Sequence, residues 1–173
     1  MNDKRIVIVG FMGCGKTAVA RELARLGDER WVDLDARIEE VHSRSPAQII
    51  VQDGETVFRE IETATLQELL SADSEHVIAL GGGAWISPRN RELIREHDAV
   101  SVWLDAPFEL CWRRIIAAEQ DRPLAPTREL AQQLYLKRGP TYNLADFHVP
   151  VADELSLEVA KRIVLLLQQQ PDT

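Results

Sequence analysis

Ile6-Val7-Ile8-Val9 runs directly into Gly10-Phe11-Met12-Gly13-Cys14-Gly15-Lys16-Thr17, and Ala18 to Leu26 continues with helical patterning. A β-branched run, a glycine-rich turn and an amphipathic stretch read as strand, loop and helix, with the spacing G-x-x-x-x-G-K-T of a phosphate-binding loop. The glycines let the chain curl so that successive N–H groups face inward, and the new helix adds its positive end at the same point. Lys16 has the reach for β- and γ-phosphates, and the Thr17 hydroxyl stands where a Mg²⁺ ligand is needed. A chance glycine-rich turn would lack the strand before it and the helix after it. The stretch predicts a nucleoside triphosphate site with Mg²⁺, built from Gly13, Cys14, Gly15, Lys16, Thr17 and Ala18.

Outward from this loop, apolar runs alternate with helical patterns. Trp31 to Asp35 reads as a strand, Ala36 to about His42 as a helix, and Ser45-Pro46 as the start of another helix, with proline in the first turn. Asp53-Gly54 breaks the pattern. Glu55 to Leu70 resumes it as a long helix, in which Val57, Ile61, Ala64 and Leu69 recur at near-helical spacing. Val77 to Leu80 is a buried strand cut off by Gly81-Gly82-Gly83. Pro88 to His97 reads as helix, Ala99 to Leu104 as strand and Pro107 to Ala118 as helix. Glu119 to Arg128 is a polar loop, Glu129 to Arg138 a helix stopped by Gly139-Pro140, Phe147 to Val151 a last strand and Ser156 to Gln169 a final helix.

Strands alternating with helices, and apolar on both faces, predict an α/β three-layer sandwich: a mostly parallel five-stranded sheet with helices on both faces. With 173 residues and no linker or repeat, one domain spanning 1–173 is expected. The net charge of −8, with no basic face, argues against nucleic acid as a partner. No apolar run reaches membrane-spanning length, the first strand begins too early for a signal peptide, and two cysteines make no disulfide framework. A soluble cytoplasmic monomer is the expectation.

Ligands in such folds sit beyond the carboxyl ends of the strands, where the glycine-rich loop, Asp33, Asp35 and Gly81 to Gly83 all fall. Asp33 and Asp35 are two apart and point the same way on an extended segment. One can hold Mg²⁺ through water while the other orients or deprotonates an acceptor hydroxyl; alternatively Asp35 caps the next helix. Arg59 is either a solvated helix residue or a two-point grip on a carboxylate or phosphate, steadied by Glu62 three residues on. Gly81 to Gly83 allow close approach of backbone to a ligand, or only a tight turn. Arg122, in the polar loop, is suited to closing over phosphates. Arg138 near a helix end can equally complement the helix dipole. The four histidines show no metal-ligand spacing. Cys14 occupies a position that needs a small side chain; a reactive thiol is the other reading.

Taken together, the loop Gly10 to Thr17, Asp33-Leu34-Asp35, the segment Asp53 to Glu62, Gly81-Gly82-Gly83, Arg122-Pro123-Leu124 and the Arg138…Tyr142 pair resemble shikimate kinase, in the nucleoside-monophosphate-kinase-like branch of P-loop proteins. The resemblance runs from about Lys4 to Leu166. It implies transfer of the ATP γ-phosphoryl group to the 3-hydroxyl of shikimate, with a small lid over about 119–128 and substrate-binding helices over about 36–71. It further implies that Asp35 holds the acceptor hydroxyl and that Arg59 and Arg138 clamp the carboxylate, with Gly81, Gly82 and Gly83 approaching the ring. Lys16 and Arg122 would stabilise phosphoryl charge, Thr17 and Asp33 hold Mg²⁺, and Arg114 lie near the base. Three stretches depart from the family pattern: a short Arg122 to Arg138 interval, no acidic residue in Tyr142-Asn143-Leu144-Ala145, and no basic turn at Val151 to Glu154. A related kinase acting on a sugar acid such as gluconate, and a nucleotide-binding homologue without catalysis, are the competing readings.

Overall fold

The computed structural model describes residues 4–72, 74–118 and 124–169. Among them five strands form one sheet in the order β2-β3-β1-β4-β5, and every neighbouring pair is parallel. β1 (Ile6–Val9) is central, flanked by β3 (Val77–Ala79) and β4 (Val100–Asp105); β2 (Trp31–Asp33) and β5 (Phe147–Pro150) are the edges. All four residues of β1 are buried, as a strand covered on both faces requires. Pro150, which cannot donate to a ladder, sits on the outermost strand.

The helices are α1 (Lys16–Gly27), α2 (Leu34–His42), α3 (Pro46–Asp53), α4 (Glu55–Ser71), α5 (Pro88–Glu96), α6 (Phe108–Ala117), α7 (Arg128–Tyr142) and α8 (Ser156–Gln168), with a 3₁₀ turn at Ala84–Ile86. α1 packs on α8, while α4 packs on α2, α3 and α5. Because parallel strands need crossovers, the chain leaves β1 on one side, reaches β2 through α1, and returns past β1 from β3 to β4. The direction of winding reverses beside β1, and the crevice outside that reversal is where the loop after β1 opens. Among the described residues no helix is long and apolar enough to cross a membrane.

α3 begins where Ser45-Pro46 predicts, with a full capping box: Gln48 N–H donates to Ser45 Oγ at 3.2 Å and Ser45 N–H to Gln48 Oε1 at 2.8 Å. Four readings of the sequence are corrected. β2 stops at Asp33, so Asp35 lies in the first turn of α2 and not on an extended segment. The cap of that helix is Asp33, whose Oδ1 accepts from the N–H groups of Asp35 and Ala36 at 3.0 and 3.2 Å. The buried stripe of α4 is Phe58, Glu62, Thr65, Leu66, Leu69 and Leu70, whereas Val57 and Ala64 face outward. α7 does not stop at Gly139-Pro140 but continues to Tyr142. The carbonyl that Pro140 cannot satisfy belongs to Leu136, a residue on the exposed face of the helix, and the final turn is anchored by contacts with the turn after β3.

Candidate active site

Residues 10–15 pass from β1 to α1 with Gly10, Gly13 and Gly15 at positive φ. At Gly13, φ is 77° and a Cβ would lie 2.5 Å from the Cys111 carbonyl oxygen, so the loop lies on α6 with no room for a side chain. Cys14 is buried beneath the loop, and burial pushes the Cys111 thiol up to about 12. α1 opens at Lys16 with no side-chain cap on its first N–H groups, which leaves the positive end of the helix turned to the loop. Lys16 Nζ donates to the carbonyl oxygens of Gly10 and Phe11 at 3.0 and 2.9 Å, so the ammonium lies along the concave backbone. Ala18 is half-buried in the first turn, and Arg114 of α6 reaches the loop from outside, donating to the Cys14 carbonyl at 3.3 Å.

The Thr17 hydroxyl donates to Asp33 Oδ2 at 2.6 Å. One hydroxyl and one carboxylate, joined at the end of β2 and the start of α1, are the hard oxygen donors that Mg²⁺ prefers. Asp33 therefore has two tasks, one oxygen capping α2 and the other meeting Thr17.

A second group of charges surrounds the turn after β3. A Cβ at Gly81 would lie 2.6 Å from Asp35 Oδ1, and one at Gly83 would lie 2.7 Å from Arg59 Nη1. Only hydrogen at these positions lets a carboxylate and a guanidinium rest directly on the backbone. Arg59 Nη1 donates to both oxygens of Glu62 at 2.9 and 2.8 Å, and Nη2 donates to Glu55 at 3.2 Å. Burial opposes the Arg59 charge, but Glu62 and Glu55 outweigh it and raise the guanidinium above its ordinary value. Arg138, nearly buried, donates from Nη1 to the Gly82 carbonyl at 2.9 Å. The structure thus brings Asp35, Arg59, Arg138 and Gly81 to Gly83 into one place, beside the phosphate loop. Arg122 lies outside the described residues, as does the first half of the expected lid, 119–123; within the described half, Thr127 caps α7 by accepting from Leu130 N–H at 3.3 Å.

The residues that hold this turn were less visible in the sequence. Tyr142 Oη donates to the Gly82 carbonyl, Trp85 Nε1 to the Thr141 carbonyl at 2.9 Å, and Asn90 Nδ2 to the Ala84 carbonyl at 2.9 Å. Asn90 reads in sequence only as part of the Pro88 to His97 helix, and for it and Trp85 the unusual glycine run before them is the signal that marks the turn they support. A hollow of about 570 Å³ lined by Arg5, Arg30 and His76 lies at the opposite, N-terminal ends of the strands, remote from this chemistry.

Glu62, 1% exposed, is the buried counter-charge of the site. Burial pushes its carboxyl up to about 7, with the Asp35 charge adding to the rise and Arg59 and Arg138 opposing it. A folded-state value above the ordinary 4.5 means that the native protein binds more protons than the unfolded chain between 4.5 and about 7. Stability therefore falls as pH rises through that window, by up to about 1.4 kcal/mol per pH unit. Thermal unfolding of wild type and Glu62→Gln across pH 4.5 to 8 is expected to show this slope in the wild type and its loss in the variant. Parallel profiles would place the titration elsewhere.

The shikimate kinase family model matches residues 12–168. A shikimate kinase from Cereibacter sphaeroides is 40% identical over 172 residues, covering 98% of this chain and 85% of that protein. The structure of shikimate kinase from Acinetobacter baumannii in complex with shikimate superposes with a TM-score of 0.89 at 32% identity, covering 95% of this chain and 93% of that one. A gluconokinase from Sinorhizobium meliloti shares the fold at a TM-score of 0.62 and 19% identity, over 96% of this chain and 98% of that one. With sequence, architecture and the placement of the charged residues in agreement, the chain belongs to the shikimate kinase family.

Proposed function

We propose that this chain transfers the γ-phosphoryl group of ATP to the 3-hydroxyl of shikimate, acting as a cytoplasmic monomer on a small molecule and not on nucleic acid. The observation that carries this reading is the grouping of two guanidinium groups and a carboxylate around Gly81 to Gly83, beside a phosphate loop. A carboxylate-bearing polyol needs such a set: Arg59 and Arg138 to grip the acid and Asp35 to hold the reacting hydroxyl.

In the reaction the acceptor oxygen forms a bond to the γ-phosphorus as the bond to the β-phosphate bridging oxygen breaks, ADP leaves, and the hydroxyl proton passes to Asp35. The loop N–H groups and Lys16 hold the phosphates, with Arg122 adding positive charge as the group transfers and Arg114 lying toward the base. Thr17 and Asp33 are the residues that would hold Mg²⁺, which when bound neutralises phosphate charge. Most of the rate then comes from positioning and from charges fixed in advance.

The test is ADP release from MgATP with and without shikimate. Shikimate-dependent release is expected. Bound MgATP with no stimulation by shikimate would refute the acceptor assignment and direct the search to sugar acids.

A further inference from the structure

Arg138 and Tyr142 are four residues apart on α7, so they lie on one helix face, and both donate to the same acceptor, the Gly82 carbonyl oxygen. The Gly82–Gly83 peptide is trans and joins two residues without side chains, so the backbone there is held by its contacts and not by side-chain sterics. In a trans peptide the C=O of one residue and the N–H of the next point in opposite directions. Holding the Gly82 carbonyl toward α7 therefore turns the Gly83 N–H away from α7. Gly83 is also the residue on which the Arg59 guanidinium rests.

The Tyr142 ring is fixed in turn. It is 2% exposed and stacks on Trp103 with centroids 6.2 Å apart and planes at 23°. Trp103 stacks on His148 at 4.4 Å and 13°, and His148 Nε2 lies 2.8 Å from Asp105 Oδ2. A neighbouring bond, from Trp85 Nε1 to the Thr141 carbonyl, ties the other end of the turn to the same last turn of α7. Burial raises the Tyr142 hydroxyl well above its ordinary value, which keeps it a proton donor.

We propose that Tyr142 is a positioning residue that locks the Gly82–Gly83 peptide with its Gly83 N–H turned away from α7, so that the surface of the acceptor site under Arg59 keeps its shape. The proposal rests on the acceptor-site reading above. It gives the hydroxyl of Tyr142 a role distinct from its ring, which belongs to the core.

Tyr142→Phe separates the two, since the ring stays stacked and Arg138 still satisfies the Gly82 carbonyl, so the variant should fold. Two measurements are made on wild type and variant: backbone hydrogen exchange over residues 81–87 without substrate, and KM for shikimate and MgATP. Exchange is expected to quicken about tenfold across the turn, with shikimate KM rising about five- to tenfold and MgATP KM within twofold. Unchanged exchange would overturn the lock whatever the substrate is. Faster exchange with unchanged shikimate KM would overturn its link to the acceptor, as would an equal rise in both KM values. A wild type inactive on shikimate would instead sink the substrate assignment, and exchange alone would then decide whether Tyr142 holds the turn.

Discussion

Asp35→Asn is expected to lower the turnover of shikimate-dependent ADP release by about 10²- to 10³-fold, a loss of about 2.7–4 kcal/mol of transition-state stabilisation. Asparagine has the shape of aspartate, so it can occupy the same space against Gly81, where the carboxylate oxygen and a notional Cβ would be 2.6 Å apart. The substitution removes a negative charge and a proton acceptor while leaving the packing. MgATP binding should stay within threefold, because the phosphate loop, Thr17 and Asp33 are supported separately: Asp33 takes its bonds from Thr17 and from the helix N–H groups of Asp35 and Ala36, and the backbone of residue 35 is unaltered. The measurement is kcat and both KM values from a coupled ADP assay, with nucleotide affinity determined directly. A turnover within tenfold of wild type would remove Asp35 from the chemistry, since a group that only orients a hydroxyl is replaceable by an amide, whereas one that accepts the proton is not.

The separate support of Asp33 and Asp35 also marks where the sequence was and was not legible. Strand, glycine loop and helix around Lys16 were readable because each is a local pattern: β-branched residues, glycines at positions with positive φ, then an amphipathic period. The alternation of such units is enough to give a parallel sheet, and with it the crevice. Asp33-Leu34-Asp35 was misread as extended throughout because an aspartate just before a helix is both an acidic residue at a strand end and a cap: Asp33 keeps the extended backbone of β2 while Leu34 already opens α2. Gly139-Pro140 gave a stop signal that α7 overrides, because the bonds of Trp85, Arg138 and Tyr142 tie its last turn to residues 56 to 60 positions earlier in the chain. Contacts of that separation leave no local periodicity. For the same reason Glu62 was readable as a partner for Arg59 at three residues' distance, while the burial that makes its charge costly emerges only once α4 is packed.

Arg59→Ala is expected to raise shikimate KM by about 10²- to 10³-fold while MgATP affinity stays within threefold, since losing one member of a desolvated charge pair costs about 2–5 kcal/mol. The same substitution strips Glu62 of its bidentate partner and leaves a carboxylate that is 1% exposed with its counter-charge gone. An uncompensated buried charge destabilises by about 3–5 kcal/mol, so a loss of activity in the single variant does not by itself distinguish a missing clamp from a damaged fold. The titration of Glu62 offers a separation. Because burial already pushes its carboxyl up to about 7, the group in the variant can bind a proton instead of remaining charged, and the stability loss should be smaller at pH 6 than at pH 8. The double variant Arg59→Ala with Glu62→Gln removes the stranded charge altogether. Thermal unfolding of that protein should recover most of the lost stability at pH 8, while shikimate KM stays as high as in the single variant. Recovery of both would make Arg59 a structural partner of Glu62 and leave the acceptor carboxylate to Arg138. Recovery of stability alone places the guanidinium in the substrate site, where its planar fork is the feature lost.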